Sequence, residues 1–347
     1  MVLGDCNPDV LVLGSDVTPA FGQQEKLVEG ISLVIGGSAA ITAVAAARLG
    51  LRVCLVAAVG ADPAGRFMLD QLAGSGVDVS AVVIRDDLPT GMTVAMSSGA
   101  DRAILTALGA MASLTAADVP GFLLARARHV HASSYFLLSE SLGPGLASLF
   151  TAARAAGATT SLDTNWDPTG RWGGVRLSAA IAQTDVLLPN EAEALALSRE
   201  SSLDGAVGVL TAAGRGLVGR RLVIKLGERG ALCCDGPVRH HVSLPPVTPA
   251  DATGAGDCFN AGLIAGLLNG LTLPEAAALG CATGALSVGA PGGTAAAPDL
   301  TAATKLAQRA SIVLFTENGG GLTLCVQRHP PRQRTARWRG NSMLLGN

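Results

Sequence analysis

Short apolar runs alternate along this chain with longer Ala- and Leu-rich segments, and glycines mark most of the joints. The run at 10–14 ends in Gly14 and reads as a buried strand. Residues 37–49 read as a helix closed by Gly50, residues 52–59 as the next strand, and residues 64–73 as a helix closed by Gly74-Ser-Gly76. Beyond residue 129 the pattern returns, with strands at 129–133, 159–163, 186–188 and 222–226 and helices at 142–156, 191–197 and 274–288. Strands alternating with helices predict an α/β fold, a mostly parallel sheet with crossover helices. One stretch interrupts it: residues 93–97 and 103–106 flank Ser98-Gly-Ala-Asp101 and read as a hairpin, either a lid or an edge hairpin. Asp163 and Asn165, Asn190 and Glu193, and Gly227 to Gly230 all fall just after expected strand ends. In open α/β sheets that edge is where ligands bind.

The loop Asp251-Ala-Thr-Gly-Ala-Gly-Asp257 feeds the apolar helix that begins near Cys258. Gly254 and Gly256 let the backbone turn and leave amides bare. The first turn of a helix has unpaired N–H groups and a partial positive charge, which suits a phosphate. A carboxylate beside them would repel that phosphate. It makes sense if Asp257 takes a proton from a hydroxyl that attacks it. The plainer alternative is that Asp257 caps the helix and the glycines only make a turn. A P-loop is excluded, since no G-x-x-x-x-G-K-[ST] occurs, and the dinucleotide fingerprint fails because no third glycine follows Gly256 at its spacing.

Composition narrows the rest. With 347 residues and 49% hydrophobic side chains, a large core is available; with 3% aromatics, that core must be aliphatic. A net charge of -2 offers no support for a nucleic-acid or membrane-surface role. Seven scattered cysteines without a CxxC point away from disulfides and zinc and toward a reducing cytoplasm. The N-terminus lacks the basic start of a signal peptide. Residues 31–47 are uncharged and mostly apolar, but the run is short for a span and is broken by Gly36-Gly37, so it reads as a loop and buried helix. From about Glu317 the character shifts to glycines, prolines and five arginines, which reads as a basic, disordered tail over 317–347.

Several segments together resemble the ribokinase-like (PfkB) carbohydrate kinases. Asp251–Asp257 is similar to that family's C-terminal signature, and Gly36-Gly37 with Ala43 and Arg48-Leu-Gly50 to its N-terminal one. Val59-Gly-Ala-Asp62, Pro89-Thr-Gly91, Pro189-Asn190-Glu-Ala-Glu193 and Lys225-Leu-Gly227-Glu-Arg-Gly230 fall in the family's order. The resemblance implies a kinase domain over residues 1–316, with a small β lid from about 14–35 and 88–108, and transfer of the ATP γ-phosphoryl group to a sugar-like hydroxyl. It implies Asp257 as base, with the amides of Gly254, Ala255 and Gly256 as anion hole. It implies nucleotide contacts at Asn190, Lys225, Gly227 and Gly230, and Mg²⁺ placement by Asn190 and Glu193, whose alternative reading is a helix cap and a surface glutamate. It implies sugar contacts at Gly36 and Gly37, and a monovalent cation, K⁺, near Asp251 and Thr253. Dimerisation through the lid is common in such kinases.

Three positions depart from the family pattern. Ile41 stands where an Asn is usual. Counted from Gly14, the acid that grips sugar hydroxyls falls on Pro19, which leaves Asp16 as a substitute. Asp167 stands where Arg often follows Asp163-x-Asn165. The acceptor pocket should then be less polar on one side, which disfavours ribose. The leading expectation is an ATP- and Mg²⁺-dependent kinase of a sugar or sugar acid. A nucleoside kinase, and a non-catalytic sugar- or nucleotide-binding regulator on the same fold, are the alternatives.

Overall fold

The computed structural model describes residues 1–98, 101–212, 221–318 and 321–326. Among them, ten strands form one sheet in the spatial order Gly321–Val326, Ser311–Asn318, Val238–Ser243, Ala231–Asp235, Arg221–Lys225, Val186–Leu187, Thr159–Leu162, His129–Ala132, Val2–Leu3 and Leu55–Val56. Every pairing from Arg221–Lys225 to Leu55–Val56 is parallel, and the rest are antiparallel. Val186–Leu187 and the centre of Arg221–Lys225 read as unbroken apolar runs because helices cover both faces, whereas His129–Ala132 and Thr159–Leu162 bury imidazoles and hydroxyls that bond one another, Ser161 Oγ lying 2.7 Å from a ring nitrogen of both His129 and His131. Leu222 and Ile224 enter one core layer with Leu146 and Phe150 of the helix Gly143–Ala155, while Val223 between them enters another with Phe259 and Leu263. That is the two-residue period of a strand dividing two layers.

The helix Ala255–Leu268 lies in the interior, with every residue from Asp257 to Gly266 buried. A helix apolar all round belongs there. It crosses the helix Leu273–Ser287 backbone against backbone: a Cβ on Gly262 would stand 2.5 Å from Thr283 Oγ1 and 2.7 Å from the Leu279 carbonyl oxygen.

A separate four-stranded sheet, ordered Gly30–Gly36, Asn7–Leu13, Met92–Ser98 and Asp101–Ala107, forms the lid. The expected hairpin at 93–106 is its second half. Two expectations are corrected here. The run at 10–14 belongs to the lid, so the lid starts before residue 14. The first strand of the large sheet is Val2–Leu3, ending at Gly4. An apolar alternation looks alike in a lid strand and a core strand, and a two-residue strand is too short to show a period. At the other end, Ser311–Asn318 pairs with Val238–Ser243 and with Gly321–Val326. The boundary expected at 317 therefore falls inside a strand, and 327–347 lies outside the described residues. No helix among the described residues is long and apolar enough to cross a membrane.

Two of the motifs noted in the sequence meet in a joint between the body and the lid. Asp62 caps the helix Pro63–Gly74 through the Gly65 amide at 2.8 Å, and it also accepts from the Thr90 hydroxyl at 2.7 Å and the Thr90 amide at 2.8 Å. Thr90 in turn accepts from the Gly60 amide at 2.8 Å.

Candidate active site

The signature loop is held open by Asp251. One of its carboxylate oxygens accepts from the Thr253 amide at 2.9 Å and hydroxyl at 2.7 Å, and the other accepts from the Gly292 amide at 2.8 Å. Gly254 caps the helix with φ 71°, a left-handed conformation, and a Cβ there would meet Gly293 Cα at 2.6 Å. Gly254, rather than Asp257, is thus the cap. Ala255, Gly256 and Asp257 form the first turn; the Ala255 amide donates to the Ala252 carbonyl at 3.3 Å, while the Gly256 and Asp257 amides have no carbonyl one turn back in the helix. Ile41 lies buried against the glycines of this loop, with its Cδ1 2.6 Å from where a Gly293 Cβ would be.

Asp257 sits in that turn with its side chain buried. Its carbonyl accepts from Thr42 Oγ1 at 3.3 Å, which ties it to the helix Ser38–Arg48. Lys225, at the end of its strand, pairs with Asp163. Asn260, one turn below Asp257, donates to the same Asp163 oxygen at 2.6 Å. The Lys225 ammonium lies 3.6 Å from where a Cβ on Gly256 would be, so it faces the amide turn. Burial and then Asp163 push the Asp257 pKa well above the ordinary carboxylate value, while Lys225 and the Ser38 hydroxyl pull it back in part. Burial opposes the Lys225 charge, but Asp163, Glu193 and Asp257 outweigh it and raise its pKa.

At the nucleotide edge, Asn190 and Glu193 form a reciprocal cap on the helix Glu191–Ser198. The Glu193 amide donates to Asn190 Oδ1 at 2.9 Å, and the Asn190 amide donates to Glu193 Oε2 at 2.8 Å. The helix-cap alternative is therefore present in the structure, but Glu193 is buried rather than on the surface. Burial, then Asp163, raises its pKa to about 7. Gly227 has φ 62°, and Gly230 has φ 91° with no room for a Cβ, which would lie 1.9 Å from the Val242 carbonyl oxygen. Asn190 bridges to Lys225 across the strand ends.

The acceptor side differs from expectation. Asp16 is exposed on the lid loop, paired with Lys26 and accepting from the Thr18 amide. Counted from Gly4, where the first sheet strand really ends, the fifth residue on is Asp9. Asp9 is buried and accepts from Asn7 Nδ2 at 2.9 Å, and Asn7 also donates to Thr93 Oγ1 at 3.0 Å. Gly36 lies directly against it: a Cβ there would stand 1.9 Å from Asp9 Oδ1. Gly37, with φ 83°, opens the helix Ser38–Arg48, and Asp5 accepts from the Ser38 and Ala39 amides at 3.0 and 2.9 Å. Asn165 donates to Ser38 Oγ at 2.8 Å and accepts from the Ser134 amide at 2.8 Å. Around Gly36, Gly37 and Ser38 the structure gathers more polar groups than the sequence reading had named. Asn7, Asp9, Asp5, Ser38 and Asn260 were not singled out there. Asn260 carried one signal, as a lone amide in an apolar helix three positions after Asp257.

A carboxylate of raised proton affinity beside open amides and a lysine suits transfer of a phosphoryl group to an alcohol. Residues 2–300 match the model of the pfkB family of carbohydrate kinases. The chain is 31% identical over 276 residues to 2-dehydro-3-deoxygluconokinase of Bacillus subtilis (strain 168), covering 76% of this chain and 84% of that protein. It is 31% identical over 307 residues to fructokinase of Salmonella typhimurium, covering 84% of this chain and 97% of that protein. A ribokinase-type structure from E. coli in complex with ATP and Mg²⁺ superposes with a TM-score of 0.76 at 26% identity, covering 89% of this chain and 98% of that one. The fold and site define an ATP-dependent phosphotransferase with an alcohol group as acceptor. This chain belongs to the pfkB family of carbohydrate kinases.

Proposed function

We propose that the chain phosphorylates a hydroxyl of a sugar-like acceptor with Asp257 as general base. The acceptor O–H gives its proton to the Asp257 carboxylate as its oxygen bonds to the γ-phosphorus of ATP. The bond to the β–γ bridging oxygen breaks, and ADP carries that electron pair away. Amides of the Gly254, Ala255 and Gly256 turn receive the charge that gathers on the transferring group. Lys225 faces the same turn and adds a positive charge beside it. Asn7, Asp9 and the Gly36-Gly37 backbone would grip the acceptor's other hydroxyls, and the lid would close over it and exclude water. The observation that carries this reading is the buried Asp257 in the first turn of the helix, with its proton affinity raised.

Among the described residues no group of three or more His, Cys, Asp or Glu could hold a metal. The donors present instead fit a water-clad ion arriving with ATP. Asn190 keeps its NH₂ and Glu193 its second oxygen after their mutual cap, one suited to a phosphate oxygen and the other to a metal-bound water. Mg²⁺ bound there would offset charge on the β- and γ-phosphates. K⁺ enters this reading only through Asp251 and Thr253, which already bind one another and Gly292.

The test is Asp257→Asn, which should fold and bind ATP yet lose turnover by roughly 10²–10⁴-fold. In the wild type, kcat/KM should rise with pH through a value above the ordinary carboxylate range as Asp257 loses its proton. Near-normal turnover in the variant would remove Asp257 as base. One observation favours a second reading, a nucleoside acceptor. Tyr135, Phe136, Trp172 and Trp166 form a chain of edge-on rings with centroids 4.9–5.5 Å apart, and Trp166, next to Asn165, is exposed. ADP release with fructose, 2-dehydro-3-deoxygluconate, ribose and adenosine separates the two. We also propose that two copies pair through their lids.

A further inference from the structure

Four segments meet at the sheet edge and close a cycle of hydrogen bonds. Asp5, just past the strand Val2–Leu3, accepts from the Ser38 amide at 3.0 Å. The Ser38 hydroxyl oxygen accepts from Asn165 Nδ2 at 2.8 Å. Asn165, just past the strand Thr159–Leu162, accepts at Oδ1 from the Ser134 amide at 2.8 Å. The Ser134 hydroxyl completes the cycle on Asp5. Two members hold left-handed backbone: Ser134 has φ 57° and Asn165 has φ 55°. Such residues cost stability and cluster where a site needs a fixed geometry. The cycle leaves one proton to place. Ser38 Oγ accepts from Asn165, so its own O–H points elsewhere, and it bonds the Asp257 carboxylate. Thr42, one turn along the same helix face, bonds the Asp257 carbonyl at 3.3 Å. The helix Ser38–Arg48 thus holds Asp257 by its main chain and by its side chain.

We propose that Ser38 is a positioning residue for the base: steered by Asn165, its hydroxyl donates to one carboxylate oxygen of Asp257 and leaves the other for the acceptor's O–H. This rests on the kinase reading above and deepens it. Ser38 does not itself take the proton. It acts through Asp257, by fixing the rotation of the carboxylate and by favouring the ionised form that can accept. The charges that face Asp257 are Asp163 and Asp5, which oppose its ionisation, and Lys225, which favours it. Those act on the charge; the hydroxyl also sets a direction.

The experiment has two arms. Steady-state rates use whichever of fructose, 2-dehydro-3-deoxygluconate, ribose and adenosine gives the fastest ADP release. Ser38→Ala should lower kcat by about tenfold, the scale of one hydrogen bond to a charged group, with KM for acceptor and ATP little changed. The hydroxyl holds the Asp257 pKa down, so its loss should move the rise of kcat/KM to higher pH. Ser38→Thr keeps the hydroxyl and should restore most of the rate. Asn165→Gly takes φ 55° without strain, so it should fold, yet it loses the steering amide and should lower kcat by about threefold. In the second arm, carbon-13 NMR titration of the Asp257 carboxyl without nucleotide reads the contact with no chemistry, and its midpoint should lie higher in Ser38→Ala than in wild type. An unshifted midpoint overturns the proposal, as does a Ser38→Ala variant that loses only Tm and keeps the wild-type kcat and pH profile. Retained turnover in Asp257→Asn would strike the base assignment instead, while the NMR midpoint still decides whether Ser38 holds that carboxylate.

Discussion

Asp257 and Glu193 hold carboxylates where burial resists their charge, and Asp163 adds to the resistance in both cases. For Glu193 the pKa moves from 4.5 to about 7. A carboxyl whose folded pKa is raised binds its proton more tightly in the native state. Its stabilising effect is full below the unfolded value and is lost as pH rises through about 7. Ionised Glu193 is then a net cost to folding in mildly alkaline solution. Glu193→Gln keeps an oxygen for the Asn190 amide and removes the charge. It should melt above wild type near pH 8, by about 2 °C for each kcal/mol relieved, and the advantage should disappear below pH 4.5. Calorimetric melts across that range check it, and a lower Tm near pH 8 would contradict it. Turnover should fall in the same variant, because stability and catalysis ask opposite things of this group. The position of Asp257 at the head of a buried helix was legible in the sequence, because a small-residue loop running into an apolar segment marks a helix start. Asp9 was not. The louder apolar run just after it drew the strand boundary to Gly14, which moved the count to Pro19. Asn260 needed Asp163, 97 positions away, to show what it does.

The signature helix is placed as much by glycines as by apolar side chains. Gly262 faces Thr283, Leu279 and Gly280 of the next helix, and two of its three nearest atoms are backbone. Replacing it by Ala pits two effects against each other. Helix propensity would gain roughly 1 kcal/mol. Against that, the Cβ would meet the Leu279 carbonyl oxygen at 2.7 Å and Gly280 Cα at 2.9 Å, atoms that cannot swing aside. Overpacking of this kind costs about 1–3 kcal/mol, so packing should win. Gly262→Ala should lower Tm, and it should lower kcat by up to about 10²-fold, because the helix that shifts also carries Asp257. Thermal melts and steady-state rates on the same preparation check both halves; a raised Tm with full activity would show that the helices separate at no cost. The long elements were legible at this scale because their periods are strong: the helices expected at 64–73 and 274–288 are found as Pro63–Gly74 and Leu273–Ser287. The strand expected at 52–59 divides between two sheets, as Leu55–Val56 and Ala58–Gly60. No apolar pattern distinguishes one buried run from two that pair with different partners.

At the level of the whole molecule, the lid has two unlike faces. Register places Leu33, Val10, Val94 and Leu105 side by side on one face, with Ile31 beside Val12. On the other, Asp9 lies between Val34 and Thr93, and Thr93 opposite Thr106. The second face carries Asp9, which lies against Gly36. The first is apolar, yet Ile31 is 66% exposed, Leu33 45% and Leu105 63%. A contiguous apolar sheet face left in water marks an interaction surface more often than a solvent face. A second copy of the same lid matches it in kind, by a two-fold contact in which each face meets itself. Such pairing would also stiffen the sheet that carries Asp9 and Thr93. The protein should therefore run on size exclusion with light scattering near twice 34.7 kDa at about 50 µM. The double substitution Leu33→Glu and Leu105→Glu adds charge to exposed positions, so it should keep the fold by circular dichroism while halving the mass. If the lid closes over the acceptor as proposed, acceptor KM should rise several-fold in that monomer, with ATP KM nearly unchanged. A monomeric wild type at that concentration, or a double variant that stays dimeric, would place the contact elsewhere.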